Sequence, residues 1–224
     1  MNPINRYVQI VLVETSHPGN IGSVARAMKN MGLSNLSLIN PKTFPHQEAT
    51  ALAGNAVDVL DNAKVFDSIN EAIKDSKVVY ATSARDRTIE WPTLSVKEAA
   101  EEINQLACED IEVSILFGRE DRGLTNEELQ LANKHLIIPA HPEYPVLNIA
   151  MSTQVICYEL YQAAQDIPVK KWQDFPEYTA EELNNLIDHF NETVSSLDLV
   201  DTDNPKQIMT RMERMFRRLY PDQI

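Results

Sequence analysis

Short runs of β-branched and aliphatic residues recur through the first two-thirds of the chain, each followed by a polar loop and then by apolar positions at helical spacing. The runs at residues 7–13, 36–39, 78–81, 113–117 and 136–138 predict five buried strands. After the first, Ile21, Val24, Ala25, Met28 and Met31 share one helical face and Gly32 follows as a left-handed cap. Residues 47–60 predict a helix broken at Gly54, residues 69–74 a short helix, and residues 95–107 a helix capped by Ser95. Strands alternating with helices predict a parallel α/β sheet covered on both faces.

The stretch 115–129, ILFGREDRGLTNEEL, reads as a strand end, a charged loop bracketed by Gly118 and Gly123, and a capping box of Thr125 and Glu128 that opens the next helix. Residues 14–20, 82–92 and 139–148 form further loops at strand ends, where open α/β sheets place their ligands. The helix at 148–164 is apolar around much of its circumference and is expected to pack on several sides. Beyond it, residues 165–178 read as a linker. Thr179 and Glu182 form a second capping box for a helix to about Ser196, and a turn at 201–205 precedes a last helix. The expected organisation is a main domain at 1–164, the linker, and a small helical extension at 179–224.

Charge changes this picture at one point. The formal net charge is −13, which argues against a generic nucleic-acid coat, yet residues 204–224 carry 5 Lys/Arg against 2 Asp/Glu. On that last helix Ile208, Met212, Met215 and Leu219 fall on an apolar stripe, with Arg211, Arg214 and Arg218 on the stripe beside it. Cys108 and Cys157 stand alone, and the five histidines lack ligand spacing, so no metal site is expected. GxGxxG and P-loop fingerprints are absent. With no apolar run near the roughly 18 residues of a membrane span, the chain is expected to be cytoplasmic.

Three segments together are more specific: HPGNIGSVARAMKNMG, FGREDRGLTNEEL and IPAHPEYPVLNIAMSTQVICYEL, in that order. They resemble the three motifs of the SpoU-type ribose 2′-O-methyltransferases of the SPOUT superfamily. VETSHPGNIGSVARAMKNMGL with TSAR at 82–85 is most similar to the bacterial tRNA branch that modifies cytidine or uridine at position 32. The resemblance implies a SPOUT-type parallel sheet whose residues 113–164 form a trefoil knot, and a homodimer with its sites at the interface. It implies S-adenosylmethionine held at Thr82, Ser83, Ala84, Gly118, Ile138, Pro145, Val146 and Leu147. It also implies Asn20, Arg26, Glu120 and Asn148 as catalytic residues acting on tRNA. One departure stands out, because Val146 replaces the family's serine.

Arg85, Arg87, Arg119 and Arg122 on the site loops, with Arg211, Arg214 and Arg218 on the tail, form the expected RNA track. Plainer readings coexist: Asn20 as a helix N-cap, and Glu120 paired with Arg119 or Arg122 on a solvated loop. Alternative functions are methylation of another tRNA or rRNA site and a non-catalytic RNA-binding relative.

Overall fold

The computed structural model describes residues 3–83, 91–165, 179–197, 199 and 208–219, and the chain divides into two compact units, Met1–Ile167 and Pro168–Ile224. In chain order the first unit runs α1 (Pro3–Tyr7), β1 (Val8–Val13), α2 (Pro18–Asn30), β2 (Leu36–Ile39), α3 (Gln47–Ala53), a 3-10 turn (Gly54–Ala56), α4 (Val57–Asp61) and β3 (Lys64–Phe66). It continues through α5 (Ile69–Ile73), β4 (Val78–Thr82), β5 (Thr93–Ser95), α6 (Val96–Cys108), β6 (Val113–Phe117), α7 (Asn126–Leu129), β7 (Lys134–Ile137) and α8 (Ile149–Ala163).

Among the described residues seven strands pair in the order β3-β2-β1-β6-β4-β7-β5, and every neighbouring pair is parallel. The five expected strands are therefore joined by two more, β3 and β5. Both are three-residue edge strands with no fully buried residue, so they leave no apolar run for the pattern to register. Residues alternate between the two faces as the pleat requires. Ile10, Leu12 and Ile115 pack with α2, α6 and α8, while Val11, Val13 and Leu116 pack with Ile69, Leu124 and Leu129.

The start of β7 carries Lys134 and His135, which its pattern alone would exclude. Lys134 Nζ pairs with Glu102 at 2.6 Å, Tyr80 donates to the same carboxylate at 2.9 Å, and buried His135 stacks on Trp91 at 5.6 Å. Partnered polar groups are tolerated inside.

α2 begins at Pro18, three residues earlier than its apolar face predicts. His17 is the N-cap, its Nδ1 accepting from Gly19 N at 3.2 Å, and proline suits the first helical position. Asn20 is thus not a cap; it sits inside the first turn with its side chain free for other contacts.

α8 packs against both α2 and α6 and leaves one part of its surface open among the described residues. Ile156, Cys157 and Leu160 are buried, whereas Met151 is 62% and Tyr158 46% exposed. Burial pushes the Cys157 thiol up to about 12, so it is inert.

The second unit contains α9 (Ala180–Ser196), with the Thr179–Glu182 capping box formed, and α10 (Ile208–Leu219). Phe190 and Phe216 meet edge to face at 5.1 Å, and Arg217 bonds Asn184 and Glu213 at 2.9 and 2.8 Å. The apolar stripe expected to pack is only partly covered, with Ile208 50% and Met215 42% exposed. Phe216, outside that stripe, makes the aromatic contact instead. The expected turn at 201–205 and all but the first residue of the expected linker lie outside the described residues.

Candidate functional site

From β1 the chain winds to one edge through β2 and β3, then crosses to the other side through β4 and β5 before β6 fills the place beside β1. Such a change of direction opens a crevice at the C-terminal strand ends. There a cleft of about 360 Å³ lies between the loops that follow β4, β6 and β7. Its size suits a small cofactor.

Thr82, Ser83, Gly118, Ile138, Pro145, Val146 and Leu147 all line this cleft. Ala84, Arg85 and Arg87 lie outside the described residues. The Thr82 hydroxyl donates to Leu116 O at 3.0 Å, and Ser83 N to Leu136 O at 3.0 Å, so the β4 end is tied to β6 and β7. Gly118 is required by a close approach: a Cβ there would stand 2.2 Å from Gly123 C and from Leu124 N. Val146, half-exposed, offers an apolar surface where the related motif has a hydroxyl. Aliphatic walls at Leu136, Ile138 and Leu147 beside main-chain polar groups fit a nucleoside cofactor.

At the cleft's rim, three distant segments meet in one hydrogen-bonded chain. Asn20 Nδ2 donates to Glu120 Oε1 at 2.9 Å, and Asn148 Nδ2 donates to Asn20 Oδ1 at 3.1 Å. Asn148 Oδ1 in turn accepts from Ala150 N at 2.8 Å, capping α8. Glu120 also accepts from Ser16 N at 3.0 Å, Ser16 Oγ at 3.1 Å and His17 N at 3.3 Å. Burial pushes its carboxyl upward, but these donors, Asn20 first, outweigh it and hold Glu120 below the usual carboxylate range. Glu120 is therefore an ionised, fully engaged acceptor that orients Asn20. It pairs with neither Arg119 nor Arg122.

Arg119 departs from its expected place on the RNA track. Its side chain is 8% exposed and forms two-point contacts with Glu14, at 2.8 and 2.7 Å, and with Glu128, at 2.8 and 2.9 Å. A guanidinium so enclosed has no donor left for phosphate. Hydrogen bonds from Arg119 hold the Glu14 carboxyl low; at Glu128, burial raises the carboxyl but Arg119 and Thr125 N outweigh it. Arg122, 64% exposed and 3.8 Å from Glu14, keeps its head in solvent at the cleft's edge.

Arg26 is exposed on α2 and does not line the cleft. Six residues beyond Asn20, it lies about 9 Å along the helix and about 120° around it. In the tail, Arg211 and Arg214 are exposed on α10; the Arg218 side chain lies outside the described set. Among the described residues no group of three His, Cys, Asp or Glu is placed to hold a metal.

The sequence reading missed Ser16, His17, Glu14 and the second role of Glu128. The capping box announced Glu128, but nothing local announces a partner 9 residues back or a loop more than 100 residues away.

Residues 7–158 match the model of the SpoU rRNA Methylase family, and residues 181–224 that of the tRNA methyltransferase TrmJ C-terminal domain. The chain is 44% identical over 221 residues, 94% of its length and 86% of the other's, to the tRNA (cytidine/uridine/adenosine-2′-O-)-methyltransferase TrmJ of Pseudomonas aeruginosa. It is 42% identical to the tRNA (cytidine/uridine-2′-O-)-methyltransferase TrmJ of Klebsiella pneumoniae, over 96% of this chain and 90% of that one. Among solved structures, TrmJ from Z. mobilis ZM4 superposes with a TM-score of 0.73 at 29% identity, over 95% and 91% of the two chains.

Proposed function

This chain belongs to the SpoU methylase family, and from that membership we propose that it methylates the ribose 2′-hydroxyl of a tRNA nucleotide, cytidine or uridine at position 32 of the anticodon loop. The observation that carries the reading is the Glu120–Asn20–Asn148 chain at the rim of a cofactor-sized cleft, alongside relatives named as tRNA 2′-O-methyltransferases of cytidine and uridine. Bound S-adenosylmethionine supplies an already electrophilic methyl group, so the protein's work is alignment and charge management. Ile138, Val146 and Leu147 form apolar walls for it, with the main chain around Thr82, Ser83 and Gly118 beside them.

Glu120 is no general base, since its oxygens are occupied and its carboxyl is held low. Its part is to fix the Asn20 amide. Among the described residues Asn20 Nδ2 and Asn148 Nδ2 each make one hydrogen bond, leaving each a second N–H for the ribose or its phosphate. Arg26, permanently charged, clamps phosphate and stabilises the developing alkoxide.

Arg26 does not reach its own cleft, so we place it in the site of a second copy, in a homodimer whose sites lie at the interface. The exposed Met151 and Tyr158 on α8, the helix packed against α2, support that face as the contact. The trefoil knot at 113–164 is part of the same proposal. Its support is the path from β6 across β4 to β7 and back, which returns Asn148 to Asn20 beside β1.

Residues 1–164 are the methyltransferase domain, 165–178 the linker and 179–224 the extension, whose Arg211, Arg214 and Arg218 meet tRNA with Arg85, Arg87 and Arg122. A cytoplasmic location belongs to the same proposal, supported by the tRNA substrate class of the relatives; no helix among the described residues is long and apolar enough to cross a membrane.

The test is transfer of labelled methyl from S-adenosylmethionine to unmodified tRNA, with nuclease mapping of the label. Label on the ribose at position 32 is the expected result. Label elsewhere on tRNA or on rRNA moves the target, and no label with the cofactor bound leaves an RNA-binding relative.

A further inference from the structure

Two consecutive residues of the loop after β6 reach the loop after β1, and they carry opposite charges. Glu120 takes the Ser16, His17 and Asn20 donors, while Arg119 grips Glu14. A guanidinium has five N–H donors. Those of Arg119 are all engaged: Nε and Nη2 on Glu14, Nη2 and Nη1 on Glu128, and Nη1 again on Gly123 O at 3.5 Å.

Simpler roles leave part of this arrangement over. Capping α7 requires only Thr125 and Glu128, whose reciprocal bonds are present at 2.7 and 3.2 Å. Closing the loop requires only the backbone bridge between Arg119 and Gly123, at 3.3 and 2.9 Å. Neither accounts for the two-point grip on Glu14. That residue has φ +46°, uncommon without glycine, and lies two positions before the Ser16 amide that binds Glu120. Holding Glu14 therefore sets where the Ser16 and His17 amides meet Glu120, and with them the Asn20 side chain.

We propose that Arg119 is a positioning residue for methyl transfer: by clamping Glu14 to Glu128 it registers the loop after β1 against the loop after β6, and so aligns the Glu120–Asn20–Asn148 chain. The reaction it serves rests on the function proposed above; the clamp rests on geometry alone. Lysine cannot replace this residue in full, because a single ammonium lacks the fork that spans two carboxylates.

The experiment compares kcat, tRNA KM and cofactor Kd for the full chain and for Arg119→Gln, Arg119→Lys, Glu14→Gln, Glu120→Gln and the Arg119→Gln/Glu120→Gln double variant. Misplacement by about 1 Å costs roughly 100-fold in rate, so Arg119→Gln is expected to lower kcat by about that factor with cofactor Kd and tRNA KM within about threefold. Arg119→Lys recovers part of the loss. Because both residues act on one amide, the double variant is no slower than the poorer single. Losses that multiply, or a kcat within about twofold of wild type, overturn the proposal.

Should Arg119→Gln fail to fold, Glu14→Gln removes only the rim arm of the clamp, on a side chain 40% exposed, and carries the same expectation at about tenfold. If the wild-type chain methylates no tRNA, the function has failed and the clamp is judged separately. The side-chain amide resonance of Asn20 in 15N-labelled protein then moves in Glu14→Gln if the clamp positions it, and stays in place if it does not.

Discussion

Replacing Gly118 by alanine tests whether the cleft wall is as tightly determined as its geometry implies. The added Cβ would lie 2.2 Å from two backbone atoms and 2.7 Å from Gly123 Cα, about 1.2 Å short of the 3.4 Å at which ordinary contact begins. Relief requires the main chain at 123–124 to withdraw, yet it is held by the Arg119–Gly123 bridge, by the capping box and by Leu124, 3% exposed in the core. Overpacking of this kind costs about 1–3 kcal/mol and loss of one bridging hydrogen bond about 1 more, roughly 3 in total. For a domain of this size that is about 6–12 °C in melting temperature. Cofactor affinity should fall about tenfold, the worth of one hydrogen bond.

Gly32→Ala is the internal control. Its φ of +77° disfavours alanine, but nothing lies within 4 Å, so about 1 kcal/mol is expected with no change in cofactor binding. Differential scanning calorimetry and titration calorimetry measure both effects. A Gly118→Ala variant melting within about 2 °C of wild type, with cofactor Kd within about twofold, would refute the claim that the loop cannot yield.

Arg26→Ala is expected to abolish methyl transfer while analytical ultracentrifugation and cofactor titration remain unchanged; loss of the dimer or of cofactor binding would make Arg26 structural. Glu120, Glu14 and Glu128 are all held below their usual range, so their contribution is complete above the unfolded value of about 4.3 and is lost as pH falls through the folded values. Stability should therefore be flat in this respect at neutral pH and drop in acid. Glu120→Gln should shallow that acid slope by up to about one proton in unfolding titrations, and an unchanged slope would sink the assignment. Replacing Arg211, Arg214 and Arg218 by Gln should weaken tRNA binding and flatten its salt dependence; an unaltered slope would remove the tail from the interface.

The central strands were legible because β1, β4 and β6 are largely buried on both faces and most of their residues had to be apolar. Edge strands β3 and β5 escaped because one neighbour and a wet face impose no such demand. Helix caps were readable where the box is local, as at Ser95, Thr125 and Thr179, whereas the plainer reading of Asn20 as an N-cap falls because a histidine nitrogen takes the capping role.

Motif residues could be singled out as candidates because three segments resemble the SpoU-type motifs; loop position at strand ends marked only where a ligand would sit. Which candidate touches which was another matter. Arg119 and Arg122 look alike along the chain, one enclosed by two carboxylates and the other in solvent, because only the approach of the β1 loop brings Glu14 to the first. The alternation of strand and helix and the local caps are legible in the chain because each depends on residues within a turn or two. The Glu120–Asn20–Asn148 chain, the Glu14 side of Arg119's enclosure and the separation of Arg26 from the cleft appear only once the chain is folded. They depend on how segments 100 to 128 residues apart are brought together, and no local pattern encodes the distance at which two such segments meet.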